Sequence, residues 1–377
     1  MTTAWTSPSR LRVLHVVNGL AIGGLERNLT ELAARTNQHI EHEICCIRQP
    51  GSLAAPLRAL GARIHVLGAP SGKRVWPLPA LIRLCRARSP AVVHARNWGA
   101  IEAVFAARLA KVPAIIYGEH GPAAWSGRRR AWGRRAAARA SHAVIAVSRA
   151  VRDYLCTAGV RAERITIIPN GVDTEHFRPR DDRAALRRER GLGADALLIG
   201  GVGRLNAIKN FAVLIAAFAE VARRRPDSRL VLVGDGPERQ RLEDEIRTHK
   251  LTERVTITGL RDDVAEWLAT MDVFAHVSRA EGMSNAILQA MAAGLPVVAT
   301  RVPENEELVI EGVTGRCVGV GTMPDLASAL VAYSSDAPAR RAHGAAARRR
   351  AQSEFPLQRM TEAYRTLYAG LAAAAVR

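Results

Sequence analysis

The chain has 377 residues, 48% hydrophobic and 24% charged, a composition that excludes an intrinsically disordered protein and predicts about two domains. Its net charge of +19 lies mostly in the first half, because residues 1–180 carry 27 lysines and arginines against 10 acids and residues 181–377 carry 27 against 25. A bias towards arginine contributes to this charge, but the scarcity of acids in the first half favours an acidic partner for that half.

Two further exclusions follow from the sequence. No apolar run approaches the ~18 residues that a membrane-spanning helix needs. The five cysteines are odd in number and show no CxxC spacing, which favours a reduced, cytoplasmic protein without a metal site.

Short apolar segments alternate with amphipathic segments in the first half of the chain. This alternation predicts parallel strands connected by helices. The predicted strands of this half are LRVLHVVN (11–18), HEICCIRQ (42–49), RIHVLG (63–68), AVVHAR (91–96), AIIYGEHG (114–121), AVIAVS (143–148) and ITIIPNG (165–171).

The pattern breaks at NGVDTEHFRPRDDRAALRRERG (170–191), which we interpret as a polar linker. It then restarts at ALLIGGVG (196–203) and continues to the strand LPVVAT (295–300). We therefore predict an α/β fold of two doubly wound, Rossmann-like domains, with ligands in the cleft between them. The predicted boundaries are 1–178 for the first domain, 179–355 for the second, and 356–377 for an amphipathic helix that packs back on the first.

The stretch SRAEGMSNAILQAMAAGLPVVAT (278–300) predicts a buried helix, because no residue of 286–293 is charged. Ser284 and Asn285 can cap it, and its N-terminus at the end of a strand suits a phosphate group. Gly282 allows close approach, and Glu281 can accept hydrogen bonds from hydroxyls. Together these features indicate a sugar phosphate, unless Glu281 merely favours the helix dipole.

A second cationic element, GVGRLNAIKNF (201–211), opens the second domain. Arg204 and Lys209 lie five residues apart in this loop. Two cations directed at one ligand would stabilise a diphosphate that gains charge as it leaves. The alternative is a solvated loop.

Comparable loops follow two predicted strands of the first domain. Gly23 and Gly24 precede a helix that contains Glu26, and they permit close approach of a ligand. His120 ends another strand, where it can hydrogen-bond a substrate hydroxyl, act as an acid or base, or be purely structural. His94 ends the preceding strand and is a weaker candidate.

Residues 122–141 are strongly basic and contain two tryptophans, Trp125 and Trp132, seven positions apart. If helical, the segment places both tryptophans on one face, as in an interfacial helix on anionic lipid, beside Arg128 and Arg129. Glycines within it weaken the helix prediction. The alternative is a solvated basic helix with two core tryptophans.

Taken together, these segments resemble the retaining glycosyltransferases of family 4, which have the GT-B fold, and most of all those that build bacterial exopolysaccharides. The resemblance covers nearly the whole chain in order and spacing. Its motifs are GGLERNL, GEHG, AVS, IPNGVDTEHFRP, GVGRLNAIKN, LVGDGPER, GLRDDV and EGMSNAILQAMAAGLPVVAT.

The resemblance implies roles for individual residues. Arg204 and Lys209 would hold the nucleotide diphosphate, Glu281 the hydroxyls of the donor sugar, and His120 would lie near the reaction centre. Further donor-binding candidates are Gly24, Gly203, Gly282, Met283, Ser284, Asn285 and Gln289. Acceptor or membrane candidates are Gly23, Glu26, Trp125, Arg128, Arg129 and Trp132.

The chain departs from the family pattern at two places. Gln289 replaces a glutamate that grips the ribose, so we expect weaker nucleotide binding without charge assistance. Pro303 and Glu304 replace a pair of glycines in a loop near the donor.

The predicted function is transfer of a sugar from a nucleotide-sugar to a lipid-linked or oligosaccharide acceptor at the inner membrane surface. No DxD triplet occurs, so no cofactor or metal is expected, and the departing phosphate oxygen would itself take the acceptor proton. A nucleotide-sugar epimerase, a soluble disaccharide synthase and, more remotely, a basic nucleic-acid-binding protein are alternatives. No nucleic acid is expected as a partner, because no binding module is recognisable.

Overall fold

The structure is a computed structural model that describes residues 10–21, 23–69, 77–121 and 128–376. Contacts divide the chain into two compact units. We call Met1–Asn170 with Gln358–Arg377 the N-terminal unit and Gly171–Leu357 the C-terminal unit. The predicted boundary at residue 178 lies a few residues further along the chain.

The N-terminal unit contains a seven-stranded parallel sheet with the strand order β3-β2-β1-β4-β5-β6-β7. Its strands are β1 (Leu11–Val17), β2 (Ile40–Cys46), β3 (Arg63–Val66), β4 (Val92–Arg96), β5 (Ala114–Glu119), β6 (Ala143–Ala146) and β7 (Ile165–Ile167). Its helices are α1 (Gly24–Thr36), α2 (Ala54–Ala59), α3 (Leu78–Arg88), α4 (Glu102–Leu109), α5 (Arg128–Ala140) and α6 (Arg149–Thr157). Strands β4 and β5 are buried along their whole length, as expected for a sheet with helices on both faces.

The C-terminal unit repeats the arrangement with six parallel strands in the order β10-β9-β8-β11-β12-β13. Its strands are β8 (Leu198–Val202), β9 (Arg229–Val233), β10 (Val255–Ile257), β11 (Val273–His276), β12 (Val297–Thr300) and β13 (Gly315–Val318). Its helices are α7 (Arg183–Glu189), α8 (Phe211–Arg224), α9 (Arg239–Thr248), α10 (Val264–Thr270), α11 (Asn285–Ala292), α12 (Pro303–Glu306), α13 (Met323–Ser335) and α14 (Ala337–Glu354). The predicted α/β class with two doubly wound sheets is confirmed.

The final helix, α15 (Leu357–Val376), belongs from Gln358 onwards to the N-terminal unit. Its residues Met360, Tyr364 and Tyr368 are buried. Because these residues recur at helical spacing, the apolar stripe predicted for this helix is the face that packs on the N-terminal unit.

Each sheet has a point where the strand order reverses, between β1 and β4 in one unit and between β8 and β11 in the other. Loops that follow the strands at such a switch point form the ligand crevice of doubly wound sheets. The glycine loop before α1 follows β1, the loop of Lys209 follows β8, and that of Glu281 follows β11. Three of the predicted binding loops therefore lie at switch points.

The polar linker predicted at residues 170–191 contains a helix, α7, that the sequence did not predict. Arg183 and Arg187, four residues apart on one face of this helix, both bind Asp272, at 2.6 and 2.7 Å. Arg187 also donates to the Thr270 carbonyl at 2.7 Å. These partners lie far away in the sequence, so local composition could not reveal them.

Three elements near the end of the C-terminal unit, α12, β13 and α13, were not predicted. The pair Pro303 and Glu304 begins α12, where Glu304 is buried. Within the described residues, no helix combines the length and hydropathy that crossing a membrane requires.

Candidate functional site

Glu281, Lys209 and His276 meet at the C-terminal edge of the second sheet. Lys209 Nζ donates to Glu281 Oε1 at 2.5 Å, and His276 Nε2 donates to the same oxygen at 2.9 Å. His276 ends β11, and Lys209 follows the neighbouring strand β8. The two adjacent strands of the switch point thus bring together a cation, a carboxylate and an imidazole.

Two effects of opposite sign act on the Glu281 carboxyl. Burial raises its pKa, but the Lys209 ammonium and the hydrogen bond from His276 outweigh burial and hold the pKa well below its ordinary value. Burial also lowers the pKa of His276, against the opposing effect of Glu281. At neutral pH the site therefore contains the Glu281 carboxylate and a neutral His276 imidazole beside Lys209.

The start of α11 has the cap that the sequence predicts. The Ser284 side chain accepts a hydrogen bond from the Ile287 amide at 3.3 Å, and Gly282 is buried just before it. Met283 and Asn285 are partly buried. The helix itself is buried through five apolar residues, Ile287, Leu288, Ala290, Met291 and Ala292.

Other predicted donor-site residues lie around this centre without joining it. Arg204 is exposed in the Lys209 loop, and its side chain makes no hydrogen bond or ion pair to any described residue. Gly203 lies at the start of that loop, and a Cβ at the neighbouring Gly234 would stand 2.0 Å from the Gly203 carbonyl oxygen. Gln289 lies partly exposed in the second turn of α11.

In the N-terminal unit, His120 and His94 lie on one face of the sheet around Gly118. A Cβ at Gly118 would stand 2.6 Å from His94 Nε2 and 3.1 Å from His120 Nε2. Neither of these nitrogens, nor His120 Nδ1, has a hydrogen-bond partner among the described residues, although all three are shielded from solvent. The His120 amide donates to Asn97 Oδ1 at 2.5 Å, which fixes the backbone at this point.

Gly23 and Gly24 begin α1, as predicted, and Glu26 lies in its first turn. A Cβ at Gly23 would stand 2.3 Å from Glu26 Oε2, so the carboxyl folds back over this glycine. Burial raises the pKa of Glu26. Glu26 and His120, both among the described residues, make no hydrogen bond to each other.

Residues 128–140 of the basic segment form a helix, α5, which is anchored to β5 by an ion pair. Arg134 donates to Glu119 at 2.7 Å, and both side chains are buried. A Cβ at Gly133 would stand 2.7 Å from the Trp98 ring, so this glycine permits close packing of the helix.

The outer face of α5 includes Trp132, which is 74% exposed. Trp132 lines a surface hollow with Arg135 and Arg139. The alternative of a core tryptophan is therefore wrong for Trp132. Trp125 lies outside the described residues, as do the side chains of Arg128 and Arg129.

Sequence reasoning missed His276. A histidine inside the apolar strand VFAH resembles a core residue. Its position at the end of that strand, next to the loop of Glu281, is the feature that could have identified it as a site residue. Within the described residues, no three histidine, cysteine, aspartate or glutamate side chains are grouped so that they could hold a metal ion.

Two family profiles match the chain. The profile described as Glycosyltransferase Family 4 matches residues 22–176, and that described as Glycosyl transferases group 1 matches residues 196–336. Each profile matches the larger part of one unit.

Similar proteins agree with these profiles. EpsF of Bacillus subtilis (strain 168), named as a glycosyltransferase, is 30% identical over 77% of this chain and 79% of its own length. The UDP-Gal:alpha-D-GlcNAc-diphosphoundecaprenol alpha-1,3-galactosyltransferase of Escherichia coli is 28% identical over 87% of this chain and 89% of its own length.

The fold is that of known GT-B enzymes. The crystal structure of Anabaena HepE in complex with UDP-glucose matches 96% of this chain and 100% of its own, with a TM-score of 0.85 and 24% identity. The predicted GT-B fold and the predicted family are confirmed: the chain belongs to glycosyltransferase family 4.

Proposed function

We propose that this glycosyltransferase moves a hexose, with retention of its anomeric configuration, from a nucleotide-sugar to a glycan acceptor carried on a lipid diphosphate. The product would serve cell-surface or exopolysaccharide biosynthesis. The name of the E. coli relative, which gives a diphosphoundecaprenol acceptor and a UDP-sugar donor, supports this assignment. The UDP-glucose bound by HepE supports the donor class.

The observation that carries the proposal is the contact of Lys209 and His276 with one oxygen of Glu281. Both bonds end on Oε1, so Oε2 remains available as an acceptor for sugar hydroxyls. Lys209 uses one of its three N–H donors on Glu281 and keeps two for a phosphate oxygen. One ammonium thus links the sugar-binding carboxylate to the diphosphate.

The loops of Lys209 and Glu281 would also stabilise the negative charge that develops on the leaving group. As the bond between the sugar and the diphosphate breaks, negative charge grows on the leaving phosphate, where Lys209, the exposed Arg204 and the N-terminus of α11 would oppose it. In the front-face substitution expected for this family, the leaving oxygen takes the acceptor proton. We expect no metal ion in this step.

The remaining predicted residues would serve binding. Gln289 would accept a hydrogen bond from a ribose hydroxyl, and the amides of Met283, Ser284 and Asn285 would contact sugar and phosphate. His120 would hydrogen-bond a sugar hydroxyl near the reacting carbon. In the N-terminal unit the glycine loop with Gly23, Gly24 and Glu26 would meet the acceptor and the diphosphate.

We further propose that α5 binds the anionic membrane surface that carries the acceptor. Its exposed Trp132 next to Arg135 and Arg139 combines an aromatic ring with positive charge, a pairing typical of interfacial helices. The enzyme would then act as a peripheral protein on the cytoplasmic face.

A transfer assay tests the proposal. The wild-type chain is incubated with radiolabelled UDP- and GDP-hexoses and with a detergent-solubilised polyprenyl-diphosphate sugar, and labelled lipid is extracted. We expect transfer from one donor series, its loss in Glu281→Ala, and an unchanged rate in Glu253→Ala, which removes an exposed glutamate of the same unit.

Three results would contradict it. Transfer to water-soluble sugars with none to lipid would exclude the acceptor class, and near-normal turnover in Glu281→Ala would remove this residue from the site. A strict requirement for added Mg²⁺ or Mn²⁺ after EDTA treatment would exclude the metal-free mechanism.

A further inference from the structure

Asn97, the first residue after β4, has a backbone conformation that residues other than glycine rarely adopt. Its φ is 66° and its ψ is 171°. Ser89 and Asn210 also have positive φ, but their ψ values of 53° and 34° place them in the ordinary left-handed region. The conformation of Asn97 is therefore strained, and strained backbone is found mostly at functional sites.

Three hydrogen bonds hold Asn97 in this conformation. Its backbone N–H donates to the Gly118 carbonyl at 2.7 Å, and its own carbonyl accepts from the Ala100 amide at 3.1 Å. Its side-chain Oδ1 accepts from the His120 amide at 2.5 Å. The end of β4 is thus fixed to the end of β5, and the side chain of Asn97 is fixed with it.

The bond to His120 also determines the orientation of the Asn97 amide group. A backbone N–H can only donate, so the atom facing it is the oxygen, and Nδ2 is directed away from His120. Asn97 is partly exposed, and its Nδ2 has no hydrogen-bond partner among the described residues. Two N–H donors are therefore held in a fixed orientation next to the switch point between β1 and β4.

The preceding residue, Arg96, gives this end of the sheet a positive charge. Arg96 is 2% exposed; it donates to the Tyr368 hydroxyl at 3.2 Å and lies 3.4 Å from His15 Nδ1. Its guanidinium carbon also lies 5.2 Å from the centre of the Tyr364 ring. These three partners are uncharged at pH 7, because burial lowers the pKa of His15 and raises the pKa of both tyrosines. A buried charge with neutral partners favours an anionic ligand nearby.

The following residue, Trp98, connects Asn97 to α5. The guanidinium carbons of Arg134 and Arg130 lie 5.3 and 6.0 Å from the centre of the Trp98 ring. Asn97 therefore lies between the helix assigned to the membrane surface and His120, which is assigned to the reaction centre. A lipid diphosphate joins a membrane-embedded chain to a sugar, so its phosphates have to pass between these two places.

We propose that Asn97 Nδ2 donates a hydrogen bond to a phosphate oxygen of the lipid diphosphate of the acceptor. Phosphate oxygens accept hydrogen bonds, which matches the free donors of Nδ2, and their negative charge matches Arg96. Asn97 is then an acceptor-binding residue whose oxygen holds the backbone of His120 while its nitrogen holds the substrate. This assignment rests on the proposed function, which supplies the lipid diphosphate.

Asn97→Asp separates the two roles of this side chain. The variant keeps an oxygen for the His120 amide and tolerates positive φ, but it replaces the N–H donors by a charge that repels phosphate. Isothermal titration measures binding of farnesyl diphosphate, with UDP or GDP at saturation so that the probe cannot occupy the donor site. We expect affinity to fall about tenfold in Asn97→Ala, which removes the donors without adding charge, and further in Asn97→Asp. Binding of UDP or GDP alone should be unchanged.

Asn37→Asp is the matched control. It makes the same change of charge at a partly exposed asparagine of the same unit, between α1 and β2 at the edge where the strands begin. This variant should bind farnesyl diphosphate like the wild type. In the transfer assay, Asn97→Asp should raise the KM of the lipid-linked acceptor and leave the donor KM unchanged, whereas a purely structural role of Asn97 predicts wild-type values. Circular dichroism reports whether each variant is folded.

Three results would overturn the contact: no binding of farnesyl diphosphate to the wild type, wild-type affinity in either Asn97 variant, or a rise in the donor KM alone. Weaker binding of farnesyl diphosphate to both variants, in a chain that transfers sugar to no lipid-linked acceptor, would contradict the proposed function and leave the diphosphate contact standing. The two failures are therefore distinguishable.

Discussion

Lys209 donates a hydrogen bond of 2.5 Å to Glu281, although 72 residues separate the two in the chain. The contact couples the residue assigned to the diphosphate with the residue assigned to the sugar. It also determines the ionisation of Glu281, because the ammonium opposes the effect of burial on that carboxyl. Under the proposed assignment, sugar recognition and charge stabilisation would therefore depend on each other.

Loss of Lys209 should affect both functions. We expect Lys209→Ala to lower kcat/KM by ~10²-fold or more, since removal of one transition-state charge partner costs about 3 kcal/mol. Arg204→Ala should have an effect of the same order, and Arg188→Ala, at an exposed arginine of α7, should have none. In a double-mutant cycle, Lys209→Ala and Glu281→Gln should be strongly non-additive, and additive losses would disprove the coupling.

The pH dependence of the same variant follows from the direction of the pKa shift. Burial raises the pKa of Glu281 and Lys209 lowers it, so Lys209→Ala leaves burial opposed by His276 alone. The acidic limb of the kcat/KM profile should therefore move to higher pH in the variant. A limb at the same pH in both proteins would show that Glu281 is not the group whose ionisation it reports.

His276 should matter through Glu281 and not through direct contact with substrate. His276→Leu removes the donor at Nε2, and we expect the donor KM to rise about tenfold because Glu281 loses one of its two bonds to Oε1. His276→Gln retains an N–H donor and should recover most of the affinity. Equal KM values for the Leu variant and the wild type would contradict this role.

The sequence predicts those features of this site that depend on neighbouring residues, and it does not predict contacts between residues far apart in the chain. Lys209 and Glu281 were each identified from a loop that follows a predicted strand, because apolar runs locate strands to within a few residues. The contact between them was not predicted, because it depends on β8 and β11 being neighbours in the sheet. For the same reason His276 resembled a core residue, and α7 was missed because its arginines find their partner, Asp272, just before β11 and far away in the sequence.

Acid should destabilise the N-terminal unit. Burial lowers the pKa of His15, His94 and His120, and that of His42 to about 3, so these rings stay neutral when folded but bind protons below about pH 6.5 when unfolded. The unfolded state then binds more protons, so stability falls as the pH falls. We expect a loss of about 1.4 kcal/mol per histidine between pH 7.5 and 5.5.

Urea denaturation across that range measures this loss. His42→Gln, which removes one of the four groups, should make the dependence of unfolding free energy on pH shallower. A wild-type free energy that stays constant from pH 7.5 to 5.5 would contradict the buried, neutral state of these rings.

Membrane binding should depend on the outer face of α5. We expect the wild-type chain to sediment with phosphatidylglycerol-containing vesicles, and Arg135→Ala with Arg139→Ala to weaken binding roughly thirtyfold, at about 1 kcal/mol per arginine. Arg341→Ala with Arg349→Ala removes two exposed arginines from α14 and is the matched control. Equal binding to neutral vesicles, or stronger binding to duplex DNA at equal salt, would contradict the proposal.

Gln289→Glu should tighten binding of the nucleoside diphosphate. A carboxylate accepts hydrogen bonds roughly twice as strong as those of an amide, and a gain of ~1.4 kcal/mol would correspond to about tenfold in Kd. The diphosphate would repel the new charge, but the ribose should keep the two apart. Isothermal titration of both forms with UDP and GDP measures the effect, and weaker binding of every nucleotide to the variant would show that Gln289 does not contact the ribose.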